Sequence, residues 1–98
     1  MSGARVRPAL IVSADTSKTD VILAFISSII PTGTPSATEY VLNVSDADFA
    51  VTGLKQTSIF KMDKLMTLEQ TRIMRKLGRV STVLQQNLDA RLRIALRL

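Results

Sequence analysis

Arg7-Pro8-Ala9-Leu10-Ile11-Val12-Ser13 puts a cation at the mouth of an apolar strand, with a proline fixing the backbone beside it. A second apolar run, Val21 to Ile26, follows the polar loop 14–20 and ends in Ser27-Ser28. If the two runs pair, Arg7 and Ser27 come to the same end of a small sheet. A guanidinium beside a hydroxyl is a pair suited to phosphate. The chain contains no His and no Cys, so any chemistry must rest on groups of this kind.

Working outward, Leu10 to Ser13 and Val21 to Ser27 read as strands from their branched apolar residues. The second is nearly continuous in apolar character, which predicts a central strand buried on both faces. Two prolines, a glycine and small hydroxyl residues mark Pro31 to Ser36 as an exposed loop. A short strand is expected at Glu39 to Leu42 and a turn at Asn43 to Asp48. Ser58 to Met66 partly alternates and reads as a strand, with Asp63-Lys64 as an irregularity. The stretch from Thr67 to Val80 is open between two states. Ile73 and Leu77 stand four apart, and Thr67 with Gln70 resembles a capping box, which suits a short helix closed by Gly78. Long basic residues between apolar ones suit an edge strand equally. At the carboxyl end Leu84, Leu88, Leu92, Ala95 and Leu96 form one helical stripe. Thr82 is the expected cap of that helix, with Gln85 three residues on.

The 98 residues make one domain with a modest core. The absence of Cys rules out disulfides and thiolate metal sites and suits a reducing cytoplasm. The absence of His removes the commonest transition-metal ligand and the usual base at neutral pH. The longest apolar run, Val21 to Ile30, is about half of the ~20 residues needed to span a bilayer, so neither a membrane anchor nor a signal peptide is expected. The formal charge is +5. Arg72, Arg75, Lys76, Arg79, Arg91, Arg93 and Arg97 carry much of it, a balance that favours polyanion or acidic-peptide partners.

Taken in order, these segments resemble the MazF/PemK family of toxin endoribonucleases. The resemblance rests on Arg7 to Ser13, the strand end Ala24-Phe25-Ile26-Ser27, the stretch from Thr57 to Leu68, and Lys76-Leu77-Gly78-Arg79-Val80-Ser81 followed by a helix. It implies a mainly β fold with a carboxyl-terminal helix, a small SH3-like barrel of the MazF/CcdB toxin type, assembled as a homodimer. It also implies cleavage of single-stranded RNA without a metal or other cofactor, leaving a 2′,3′-cyclic phosphate and a 5′-hydroxyl. The expected partners are RNA, a cognate antitoxin peptide and, together with the antitoxin, operator DNA. On this reading Lys76 to Val80 belongs to a strand. The family usually opens with a further strand and loop, so the resemblance implies a single domain over residues 1–98 that is truncated at its amino end, with Ser2-Gly3-Ala4-Arg5 similar to the tail of that loop.

The family's active-site arginine falls on Arg7 and its active-site threonine or serine on Ser27. Ser28 competes with Ser27 and is expected near the substrate. Where members often carry a glutamine and an arginine in the strand before Thr67, this chain has Lys64 and Met66, which leaves Lys64 as a substrate-binding position. Against these roles stand plainer ones. Arg7 can be a surface cation at a strand start, and Ser27 a strand-end hydroxyl bonded to backbone. Asp15, Asp20, Asp46 and Asp48 read as turn formers rather than metal ligands. Met62 and Met66 read as core or dimer packing, and the arginine-rich helix as a solvated face. A non-catalytic module that binds antitoxin or nucleic acid is the alternative reading, and a gyrase poison of the CcdB kind a more distant one.

Overall fold

The computed structural model describes residues 7–13, 17 and 19–98. Arg5, Asp15 and the stretch likened to a loop tail lie outside the described residues. The elements run β1 (Ala9–Ile11), β2 (Asp20–Ser27), β3 (Glu39–Leu42), β4 (Ser58–Glu69) and α1 (Thr82–Leu96), with single 3-10 turns at Ala50–Thr52 and Gln70–Arg72. The strands form one antiparallel sheet in the order β1-β2-β4-β3. β4 thus slots between β2 and β3, and the 28–38 loop must carry the chain past it to the far edge.

The apolar run of β2 pairs on both flanks. Ala9 faces Phe25 and Ile11 faces Leu23 on one side. Ser27 faces Ile59 and Asp20 faces Glu69 on the other. The β4 register jumps from Lys61, opposite Phe25, to Leu65, opposite Ala24. Met62, Asp63 and Lys64 therefore form a bulge at the irregularity expected from Asp63-Lys64. Extra residues on one strand bend it and increase its twist. Before the bulge β4 is flanked by both β2 and β3; beyond it only β2 accompanies it. The sheet curls into a half-barrel.

Ala24, Ile26, Leu42, Phe60 and Met62 line the inner face, and α1 closes it with Leu84 and Leu88. Leu10, Val12, Tyr40 and Leu92 pack around this cluster. Val21, Leu23 and Ile59 are buried as well, and strand alternation sets them on the opposite face. The expectation of a strand buried on both faces holds for those positions of β2. It fails at Ile22 and Phe25, which are exposed. Met62 is core, whereas Met66 is exposed.

The helix cap lies one residue earlier than expected. Ser81 is extended, and its Oγ accepts the Leu84 N–H at 3.1 Å, while Thr82 is already helical. The cap position must be non-helical for its hydroxyl to reach the third amide, and Ser81 meets that condition. Arg91 stands over the Tyr40 ring at 5.1 Å, so this cation pins the helix to the sheet rather than facing solvent alone. Among the described residues no helix is long and apolar enough to cross a membrane.

Residues 73–81 form neither the short helix nor the strand expected there. Ile73 and Leu77 are substantially exposed, so no apolar stripe rewards a helix. A close backbone crossing holds the segment instead. The Arg79 N–H donates to Val51 O at 2.8 Å. A β-carbon at Gly78 would strike the Val51 carbonyl, and one at Gly53 the Leu77 carbonyl. The 50–54 turn opposite is itself fixed, since the Thr52 hydroxyl donates to Phe49 O at 2.6 Å and accepts from Leu54 N at 3.1 Å. Gly78 has no unusual φ, so its substitution is resisted by lack of space alone. Gly78→Ala is expected to destabilise the fold by about 1–3 kcal/mol, the usual cost of overpacking a tight site. A urea midpoint indistinguishable from that of the parent would contradict the crossing.

Candidate active site

The register of the sheet places the residues singled out above. Val12 N–H donates to Ile22 O at 2.9 Å, which makes that pair a hydrogen-bonded one and, by alternation, Ala9 with Phe25 a non-hydrogen-bonded one. Pairs of the latter kind bring side chains closest. The ladder between β1 and β2 ends at Ala9 and Phe25; a continuation of that register by two residues would set Arg7 across from Ser27. Arg7 is exposed, and Ser27 is the half-buried last residue of β2. Arg7 precedes β1 by two residues and Ser27 ends β2, so both lie toward the same end of this antiparallel pair.

Ser27 then opposes Ile59, which opposes Val41. The next rung in reads Ala9, Phe25, Lys61 and Glu39. The Ser27 Oγ accepts the Ile29 N–H at 3.1 Å. That bond orients the oxygen and leaves its own O–H to donate elsewhere. Ser28 follows at an exposed bend. Lys64 is exposed within the bulge, level with Ala24 and Phe25 and so roughly 10 Å along the sheet from Ser27 at ~3.3 Å per residue.

A cleft of about 310 Å³ adjoins this end, walled by Ile30, Pro31, Gly33, Thr34, Pro35, Glu39, Val41 and Ile59. Its floor residue Ile59 is the one facing Ser27. Glu39 anchors the cleft's loop, since its Oε1 accepts the Ser36 N–H at 3.0 Å and its own N–H donates to Ser36 O at 3.1 Å. A second cleft, of about 300 Å³, lies at the glycine crossing and is lined by Val51, Lys76, Gly78 and Arg79. Asp46 closes the 43–46 turn, its carboxylate accepting the Asn43 N–H at 3.1 Å, as its reading as a turn former implies. Among the described residues no three acidic side chains gather where an ion could be held.

Sequence reasoning missed Phe25, Lys61 and Glu39. The apolar run of β2 shows no alternation, so nothing in it separates Phe25, on the open face, from Ala24 and Ile26 in the core. The one signal available was parity: Phe25 stands two residues from Ser27 and so shares its face.

Comparison with known proteins bears on the whole chain. Solved structures align over most of it. The Mycobacterium tuberculosis toxin MazF-mt6 superposes with a TM-score of 0.74 at 26% identity, covering 94% of this chain and 87% of its own. Another Mycobacterium tuberculosis toxin gives 0.72 at 26% identity, covering 91% of each chain. A mycobacterial endoribonuclease solved in complex with its cognate antitoxin gives 0.76 at 24% identity over 98% of this chain and 85% of its own, a likeness of fold. No match was found among curated protein sequences. The model of the PemK-like, MazF-like toxins of type II toxin–antitoxin systems matches residues 2–96. Together with the antiparallel half-barrel and its closing helix, that match over nearly the full length means that the chain belongs to this toxin family.

Proposed function

We propose that this chain is the toxin of a type II toxin–antitoxin pair and that it cleaves single-stranded RNA at the end of the sheet where Arg7 and Ser27 stand opposed. That juxtaposition, in a chain of this family, carries the reading. The reaction forms a bond from a ribose 2′-oxygen to the adjacent phosphorus and breaks the bond to the 5′-oxygen. The 2′-hydroxyl loses a proton, the 5′-oxygen gains one, and a cyclic phosphate and a 5′-hydroxyl result. Charge builds on the phosphoryl oxygens as the fifth bond forms. The Arg7 guanidinium matches two of those oxygens and keeps its charge throughout. The Ser27 O–H, with its oxygen held by Ile29 N–H, donates to the same group. Donors aimed where charge develops act on the transition state rather than on bound substrate. Ser28 and Lys64 hold neighbouring parts of the strand. The work is done without a metal, by a homodimer in the cytoplasm.

The test is incubation of the purified protein with single-stranded RNA in EDTA. A cyclic-phosphate product is expected, and Arg7→Ala and Ser27→Ala should each slow its formation by about 10²–10³-fold. Absence of that product, or undiminished cutting by Arg7→Ala, would remove the assignment.

The partner that restrains this activity is an antitoxin peptide, acidic and flexible, that orders along the basic toxin and joins it on operator DNA. An apolar anchor holds such a peptide while charge at the rim steers it. Its affinity should fall as ionic strength rises from ~50 to ~200 mM, as the Debye length shortens to about 7 Å. Equal affinity at both would show that charge contributes nothing.

A further inference from the structure

We propose that Phe25 is a stacking platform for a nucleobase of the RNA strand whose phosphate lies at Arg7 and Ser27, a proposal that rests on the RNA-cleaving reading above. Phe25 is 46% exposed within a central strand, between Ala24 at 0% and Ile26 at 8%. It therefore belongs to the open face and not to the core. The chain has only three Phe and one Tyr. Phe60 is buried in the core, Phe49 packs against it, and Tyr40 does so beneath Arg91. Phe25 is thus the one aromatic residue of the chain that lies outside the core cluster and is exposed.

Its neighbours on the rung leave the ring open and put charge beside it. On the β1 side stands Ala9, which is exposed and adds no bulk over the ring. On the β4 side stands Lys61, and Lys64 follows in the bulge. Arg7 and Ser27 lie one rung away, about 7 Å along the strands. An exposed ring with Lys61 beside it, and Glu39 beyond Lys61 held to its own loop at Ser36, suits a segment of single-stranded nucleic acid, whose bases stack on aromatic rings while its phosphates meet cations. Stacking on a ring accepts any base. Phe25 therefore sets how firmly the strand is held next to the scissile phosphate, not which base is chosen.

The absence of tryptophan makes the test direct. Phe25→Trp places a single fluorophore at the platform. The probe is an RNA oligomer with 2′-O-methyl riboses, which lacks the 2′ nucleophile and is bound without being cut. We expect saturable quenching of the Trp emission by this oligomer, and little quenching by an abasic strand with the same phosphates. Phe25→Ala and Phe25→Leu should each weaken binding of a labelled oligomer about 10-fold, and Phe25→Tyr should restore it. Thermal midpoints should stay those of the parent, since the ring leaves no core cavity. Oligomer binding by Phe25→Ala equal to that of the parent would overturn the proposal, as would the absence of any quenching. So would a Trp emission that shifts with protein concentration alone, which would make the face a surface for a second copy of the chain. Cleavage of unmodified RNA by the parent is read separately, so failure of the nuclease assignment and failure of the platform give different results.

Discussion

Strand β2 is held from both sides, by β1 in one register and by β4 in another, and it cannot slip by a single residue without turning Ala24 and Ile26 out of the core. The same alternation that drives these two side chains inward leaves Phe25 and Ser27 on the other face. Burial and the placement of the proposed site are therefore set by one choice of register. The core side is defended by apolar area, each large side chain contributing about 1.5–3 kcal/mol when fully buried. On the opposite face Val21, Leu23 and Ile59 are buried as well, while Phe25 stays exposed and Ser27 half-buried, so the same register sets the geometry there. A substitution that loosened Leu42, Phe60 or Leu88 would release the positioning of Phe25 and Ser27 even though it touches neither.

The rest of the chain secures that sheet by different means at different places. The bulge at residues 62–64 curls the sheet so that one 15-residue helix suffices to cover the inner face. Ser81 starts that helix, and Arg91 ties its far half to Tyr40. The Gly53–Gly78 crossing holds the connection between the last strand and the helix with one backbone hydrogen bond and very little space. Some of the positive charge is consequently structural. Arg91 is engaged with an aromatic ring, whereas Lys61 and Lys64 stand near the open face beside Phe25. The basic excess of the sequence is thus a sum of separate roles, which charge counting merges.

Strands were legible where composition and boundaries agreed. Glu39–Leu42 follows a proline-rich loop and precedes an Asn-Asp turn, and its limits were readable from those signals alone. The antiparallel pairing of the first two apolar runs was legible too, because a short loop between two such runs leaves few ways to align them. The residues between 73 and 81 were not. Their apolar spacing suits a helix and their length suits a strand, but a backbone crossing between two glycines distant in sequence decides the outcome. The helix cap was misplaced by one residue because Ser81 and Thr82 are equally able to cap, and only the chain's direction of approach selects between them. Lys61 and Glu39 were invisible as neighbours of the site because their rung exists only once β4 has inserted between β2 and β3.

The proposed site requires Arg7 and Ser27 to lie across from one another at one end of the sheet. The natural lack of cysteine allows it to be measured without background. A chain carrying Arg7→Cys and Ser27→Cys should form an intramolecular disulfide under mild oxidation, since such a bond needs Cα atoms about 4.4–6.8 Å apart. The pair Ile11→Cys with Leu23→Cys, opposed in the same hairpin, serves as the reference. Crosslinking of both pairs at comparable rates is the result this account predicts. Closure of the reference pair while the Arg7/Ser27 pair stays reduced, or links only between molecules, would contradict it.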